Sequence, residues 1–490
     1  MLFNSLEFLF FFPIVTAGYF LLPHHWRWLW LLIASCVFYM AFVPIYILIL
    51  VVTIVIDYFA GLLIARSRGA EKRRYLITSI FATCAVLFVF KYYNFFGNNV
   101  NWISNQFNLN FAVDPLALIL PIGLSFHTFQ SLSYVVEVYR GNQKAERHFG
   151  IYSLYVMFYP QLVAGPIERP QNLLHQFYEH HRFEYQRVAD GLKLMAWGLF
   201  KKVVIADRLA VVVNTIYADP TAHTGVPLIL AGVFFAVQIY CDFSGYSDMA
   251  IGAAQAMGFR LMDNFRRPFA SRSISEFWTR WHISLSSWFR DYVYIPLGGS
   301  RLGPGRQTFN LMVTFVLSGL WHGANWTYVI WGGLNGLMIV VGSATLAYRN
   351  AVARTLGLQR LPWLRHAVQV AITFSLFVLG VIIFRSTSMS EAWYIITHLF
   401  DGFHSWWNKD YWKHALSYQS IGLDDSELRI AFFSIIALEC VHAVQSHGSI
   451  RHMLAGRHWT VRWTLYFLLA WSILTYGMYT NVQPFIYFQF

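Results

Sequence analysis

The chain has 490 residues, of which 57% are hydrophobic and only 12% charged, with a formal net charge of +12. Soluble domains carry roughly 25% charged residues, so this balance excludes an ordinary water-soluble protein. The basic charge sits in short loops between apolar runs, which also argues against a nucleic-acid-binding protein.

A helix needs about 20 apolar residues to cross a hydrocarbon core of roughly 30 Å. In chain order the candidate spans are Phe8–Leu22, Trp28–Val43, Ile45–Ala65, Tyr75–Tyr92, Leu116–Val138, Leu228–Ile239 with its extension, Trp326–Ala347, Val368–Phe384, Leu428–Val444 and Trp463–Tyr479. Shorter or mixed segments lie at Ile151–Ala164, Met195–Val213 and Phe309–Leu320. The expected fold class is an all-α polytopic membrane protein with about eleven spans and some re-entrant or interfacial helices. Residues 1–490 hold no polar linker or fixed-period repeat, so one membrane domain is expected. The first run has neither a basic flank before it nor a small-residue cleavage pattern after it, and is expected to be retained.

Basic loops orient the chain. Arg66, Arg68, Lys72, Arg73 and Arg74 follow the third run, and Arg140, Lys144 and Arg147 follow the fifth. The Asn-rich stretch from Asn94 to Pro115, read as a loop, has no Lys or Arg. The positive-inside rule then puts the basic loops in the cytoplasm, and the N-terminus and the Ser386–Glu427 loop outside. Cys36, Cys84, Cys241 and Cys440 stand singly in apolar segments and read as reduced core residues.

Polar residues inside a membrane are costly, so clusters of them point to function. The first cluster runs from Leu317 to Trp326 and contains Trp321 and His322 between glycines. Phe309–Leu320 alone would make a helix of about 18 Å, too short to cross. His322 is therefore expected at membrane depth, at a break lining a pocket. A hydrogen bond to a neighbouring helix is the plainer alternative.

The second cluster, Phe277–Ser286, holds Trp281 and His282 and continues to Gly299. It mixes Trp, Arg and Ser on every face, which suits packing inside the protein near the cytoplasmic side. Basic residues Arg260, Arg266, Arg267 and Arg272 precede it, and positive-inside charge meeting anionic lipid is the favoured reading of them over a phosphate-bearing donor. The third cluster, Gln238–Asp248, brings Tyr240, Asp242 and Asp248 into an apolar stretch. A clamp from each carboxylate to an arginine or to backbone is the favoured reading there, and equally for Asp57. Gly298–Gly305 lacks a phosphate-loop Lys-Ser/Thr and reads as a turn. The aromatic residues Trp406, Trp407, Tyr411 and Trp412 read as an interfacial belt.

The strings Asp242–Gly252 (DFSGYSDMAIG), Phe277-Trp278, Arg280–Ser286 (RWHISLS) and Leu320–Asn325 (LWHGAN) resemble the membrane-bound O-acyltransferase (MBOAT) family, in its alginate O-acetyltransferase (AlgI) branch. Supporting matches are Leu120–Gly123, Ala164–Ile167 and Gly198–Val203. The resemblance runs in order to about residue 385 and is less clear over the last hundred residues. It implies a ring of membrane helices around a thin central cavity, with His322 as the catalytic histidine and His282 as the second. It also implies a cytoplasmic thioester donor, acetyl-CoA or an acyl carrier, and an acceptor approaching from outside.

A thioester carbonyl is already electrophilic, so the missing element is a base for the acceptor hydroxyl. A buried histidine stays neutral and can fill that role. His322 is the expected base. His282 would orient the thioester or steady the oxyanion, with Asn325 or Trp321 as lesser candidates. Trp321, Asn325, Trp281, Asp242, Asp248 and Tyr240 complete the candidate substrate contacts, and neither a metal nor a bound cofactor is expected.

The expected activity is O-acetylation of an exported polysaccharide, alginate or a similar polymer, from the bacterial inner membrane, with a periplasmic acetyltransferase partner. D-alanyl transfer by the same fold is the neighbouring alternative. A transporter or flippase would show inverted repeats, and none is evident.

Overall fold

The computed structural model describes residues 1–479 and 483–486, and these are helical with no strand among them. Five helices among the described residues are long and apolar enough to cross a membrane: Pro44–Arg66, Gly69–Gln106, Val226–Met257, Trp326–Ala344 and Pro362–Arg385. The protein is an all-α, multi-pass membrane protein. The chain forms two compact units, residues 1–195 with 246–263, and residues 196–245 with 264–490.

The first unit contains α1 (Leu6–Leu21), α2 (His24–Met40), α3 (from Ile47 to Arg66), α4 (Gly69–Gln106), α5 (Leu124–Arg140) and α6 (Phe149–Met157). Its buried polar groups pair locally. Asp57 of α3 accepts hydrogen bonds from Ser79 Oγ (2.6 Å) and Thr83 Oγ1 (3.0 Å) of α4. The expected clamp exists, built from hydroxyls rather than from arginine or backbone. Glu168 is fully buried and accepts the Met262 amide at 2.5 Å, while Gln176 grips both backbone groups of Arg260.

Two expectations fail in this unit, for one reason. The Asn-rich stretch is a loop only in its second part, because α4 continues through its first part to Gln106 and residues 107–115 alone are irregular. Residues 116–121, read as the start of a span, are not helical, and α5 begins only at Leu124 after a left-handed Gly123. Asn101 exchanges two hydrogen bonds with the backbone of Val113 (2.9 and 2.7 Å), and Asn94 does the same with Leu116 (2.9 and 2.8 Å). The asparagine amides supply what a neighbouring strand would supply, so an apolar segment stays extended with its backbone satisfied.

The second unit starts inside α7 (Tyr185–Phe200), which passes through a π turn at Lys201–Ala206 into Asp207–Ala218. Then come α8 (Val226–Met257), the short α9 (Ile274–Arg280) and α10 (Ile283–Phe289), α11 (Pro304–His322), α12 (Trp326–Ala344), α13 (Pro362–Arg385), α14 (Met389–Thr397), α15 (Asp425–Gln445) and α16 (Trp459–Tyr476). The α8 helix carries the expected extension of the Leu228 run through the Asp242 cluster, and its last part belongs to the first unit.

The α11 helix corrects the sequence reading. Its 19 residues rise about 28 Å, because Pro304 at the first turn starts the helix among polar residues that an apolar count leaves out. The length therefore no longer sets the depth of His322, which ends the helix. Three residues, 323–325, return the chain into α12.

The α11–α12 hairpin closes on glycine. A Cβ on Gly319 would lie 2.2 Å from the Tyr328 carbonyl oxygen, and one on Gly332 would lie 2.3 Å from that of Phe315. Small residues at such crossings let helix backbones touch. The four cysteines are unbridged, and Gly298, Gly299 and Gly303 make the expected turn with positive φ.

Candidate active site

Both histidines belong to the second unit and both are buried, His282 completely and His322 at 5% exposure. His322 is the last residue of α11. Aromatic rings surround its imidazole: Trp321 at 4.8 Å, Trp331 of α12 at 5.1 Å and 88°, and Phe384 of α13 at 5.4 Å and 78°. Three helices thus fix the ring by edge-to-face packing. Trp321 also reaches the second imidazole, 6.4 Å from His282.

His282 stands between α9 and α10 with φ 43° and ψ 54°. A left-handed backbone costs a residue with a side chain about 1–2 kcal/mol, so the surroundings must hold it there. The holding contacts are evident. The Asn264 carbonyl accepts the Ile283 amide at 2.9 Å, Asn264 Oδ1 faces His282 Nδ1 at 3.1 Å, and Phe243 meets the ring edge-on at 4.6 Å. His282 lies outside the five long apolar helices. Burial first, and nearby His322 second, push its pKa well below the usual imidazole value.

The other candidates divide. Trp321 neighbours both imidazoles. Trp281 points into an aromatic core, stacked on Phe277 at 5.3 Å and beside Phe377 at 5.2 Å. Asn325 caps α12 by accepting the Thr327 amide and donates to the Thr387 carbonyl, so its amide fastens the loop after His322.

Asp242 pairs with Lys202 (2.7 Å) and accepts the Ile486 amide (2.7 Å), and Lys202 also pairs with Asp207 (2.8 Å). The clamp expected of Asp242 is present, with lysine in place of arginine. Asp248 lies further along α8, among the residues of the first unit. Tyr240 bonds His442 Nε2 at 2.9 Å, and His442 Nδ1 meets Glu439 at 3.2 Å.

Sequence reading missed Asn264, Ser284, Trp331, Phe384, Lys202 and His442. Lys202 and Ser284 stood inside quoted strings. The others carried no local signal, because each joins the site only through tertiary packing. Among the described residues no group of three His, Cys, Asp or Glu side chains converges as a metal site would require.

Comparison with known proteins shows the family. Residues 148–390, which contain both histidines, match the profile described as "MBOAT, membrane-bound O-acyltransferase family". The chain is 40% identical over 445 residues to a probable alginate O-acetylase AlgI of Pseudomonas aeruginosa, covering 89% of this chain and 82% of that protein. It is 35% identical to a peptidoglycan O-acetyltransferase of Helicobacter pylori, covering 80% and 78%. A teichoic acid D-alanyltransferase of Streptococcus thermophilus is 28% identical, covering 56% and 70%. An O-acyltransferase replaces the transporter alternative, and the chain belongs to the membrane-bound O-acyltransferase family, in its alginate O-acetylase branch.

Proposed function

We propose that this enzyme takes an acetyl group from a cytoplasmic thioester, acetyl-CoA or an acyl carrier, and serves the O-acetylation of an exported polysaccharide such as alginate. In this reading it lies in the bacterial inner membrane with its N-terminus outside, and hands the acetyl group on through a periplasmic acetyltransferase partner. The residues 1–490 act as one membrane domain around a central cavity that admits the two substrates.

The carrying observation is the His322 imidazole, buried at the end of α11 against Trp321, Trp331 and Phe384. Burial keeps such a ring neutral and able to accept a proton. The negative end of the helix dipole then favours the imidazolium that forms during reaction. The acceptor oxygen attacks the thioester carbonyl as His322 Nε2 or Nδ1 takes its proton. Collapse of the tetrahedral intermediate breaks the C–S bond, and the same proton passes to the departing thiolate. General-base help of this kind is worth about 10²–10⁴-fold. His282 and Trp321 line the same reacting region, and Tyr240, Trp281, Asn325 and Asp242 hold the elements around it.

Acetyl transfer is favoured over D-alanyl transfer by coverage: relatives named for O-acetylation match 80% or more of the chain, against 56% for the D-alanyltransferase. The test is acetyl transfer from labelled thioester in proteoliposomes. His322→Ala should fall by at least about a hundredfold while remaining folded; wild-type turnover by the folded variant would remove His322 as the base. Labelled acetate that fails to depend on this gene for entry into surface polymer, while labelled D-alanine does, would reverse the choice of cargo.

A further inference from the structure

Which nitrogen of His282 carries the proton decides whether that ring gives or receives a hydrogen bond, and its neighbours determine the answer. Asn264 Oδ1 lies 3.1 Å from His282 Nδ1. The same atom is 3.3 Å from the Ser284 backbone amide and 3.0 Å from Ser284 Oγ. A main-chain N–H only donates, so the amide atom facing it is the carbonyl oxygen and not the NH₂ group. That oxygen has no proton to offer. A bare Nδ1 would set two acceptors against each other at 3.1 Å, whereas a protonated Nδ1 makes a good hydrogen bond. Ser284 Oγ is the other conceivable donor to Nδ1, at 3.5 Å, but its hydrogen has the shorter course to Asn264.

Backbone geometry reinforces the placement. The Asn264 carbonyl accepts the Ile283 amide at 2.9 Å, so Asn264 is docked by main chain and side chain on the turn that opens α10. The left-handed conformation of His282 is what brings Nδ1 back onto this oxygen.

We infer that Asn264, assisted by Ser284, is a positioning residue that holds His282 as the Nδ1–H tautomer, so that its Nε2 lone pair receives a proton or hydrogen bond from substrate. The inference rests on the assignment of His282 to the reacting site above. A neutral imidazole has one donor and one acceptor, and Asn264 uses the donor. Steadying an oxyanion requires a donor, so that role passes away from His282. Trp321, whose indole is a donor only, suits it better. The substrate groups that fit His282 Nε2 are a hydroxyl or a thiol. An amide oxygen also fixes the tautomer without bringing the negative charge that would retain a proton on the ring. His322 is a titratable neighbour that acts on His282, while Phe243 and Trp321 beside it are uncharged.

Histidine-labelled ¹⁵N NMR of the purified full-length enzyme in nanodiscs reads the tautomer directly, with a His282→Gln difference spectrum isolating its ring. At neutral pH Nδ1 should be protonated and Nε2 bare, and Asn264→Leu should raise the Nε2–H population. An Nε2–H or doubly protonated ring in the wild type, or an unchanged tautomer in Asn264→Leu, would overturn the inference. Asn264→Leu should also lower kcat on the order of ten- to a hundredfold, by analogy with the loss when the hydrogen bond orienting a metal-bound imidazole is removed. Asn264→Asp keeps the acceptor and guards against a folding defect. Its carboxylate raises the basicity of His282, so the acid limb of kcat/KM should move to higher pH; an unmoved limb counts against the inference. None of the spectra needs turnover. Full transfer by His282→Gln would instead sink the site assignment and leave the tautomer standing.

Discussion

The two units bury polar groups in different ways. The first ties several of them to hydroxyls or neighbouring backbone, Asp57 to two hydroxyls, Glu168 to an amide, Gln176 to both groups of Arg260, and it also buries the His127 imidazole beside Thr53 and pairs Glu137 with Arg140. The second buries charges and imidazoles: Lys202 between Asp207 and Asp242, Arg208 on Glu427, His282 on Asn264 and His442 on Tyr240. A hydrogen bond to backbone only holds. A buried ion pair or imidazole holds and also shapes the local field, which is what proton transfer needs. Both candidate histidines, His282 and His322, lie in the second unit, so we read the first as scaffold although it buries an imidazole of its own.

Four substitutions put that division at risk. The largest effect is that of His322→Ala, about 10²–10⁴-fold in turnover per folded molecule, well beyond what the fall in melting temperature from truncating a buried ring accounts for. Next is Lys202→Met, which leaves two carboxylates buried without a cation. Breaking such a pair costs about 3–5 kcal/mol, seen as a large fall in melting temperature, and adding Asp207→Asn and Asp242→Asn should recover much of it. If Lys202→Met lowered turnover without affecting stability, the clamp would be part of the chemistry.

The third concerns Glu168, whose pKa burial pushes up to about 7 against the opposing Met262 amide, Asn172 and Arg169. From about pH 4.5 to 7 the unfolded chain ionises at this position and the folded one does not. Stability therefore falls as pH rises through that window, by at most about 1.4 kcal/mol per unit, and levels off above it. Melting temperature against pH should be flatter in Glu168→Gln, with turnover at fixed pH unchanged. The smallest effect is Ser79→Ala, about 1 kcal/mol for one lost hydrogen bond to Asp57, and no change in turnover per folded molecule. A turnover defect in either of these last two would undo the division between scaffold and chemistry.

The strings around His322 and His282 made the site legible, because an imidazole in an apolar run is costly to bury and so marks a place where it is used. The carboxylate clamps were legible as a class, since a buried Asp must have partners. Their identities were not: Lys202 precedes Asp242 by forty residues, and no local pattern marks that pairing. Counting apolar residues misjudged α11 and α4, because helices run on through Pro304–Gln307 and through asparagines that serve neighbouring backbone. Asn264 was invisible for a similar reason. Its meaning lies in one oxygen atom meeting a ring eighteen residues later.

The glycine contact between α11 and α12 also fixes a distance. With Gly319 and Gly332 against carbonyl oxygens, the spacing of the two rods is set by main chain on main chain, with no side chain to swell, rotate or be compressed. His322 closes one rod and Trp331, its wall, adjoins the glycine of the other. The separation of the imidazole from that wall is thus calibrated by bare backbone, a ruler that sequence drift elsewhere in the bundle cannot stretch.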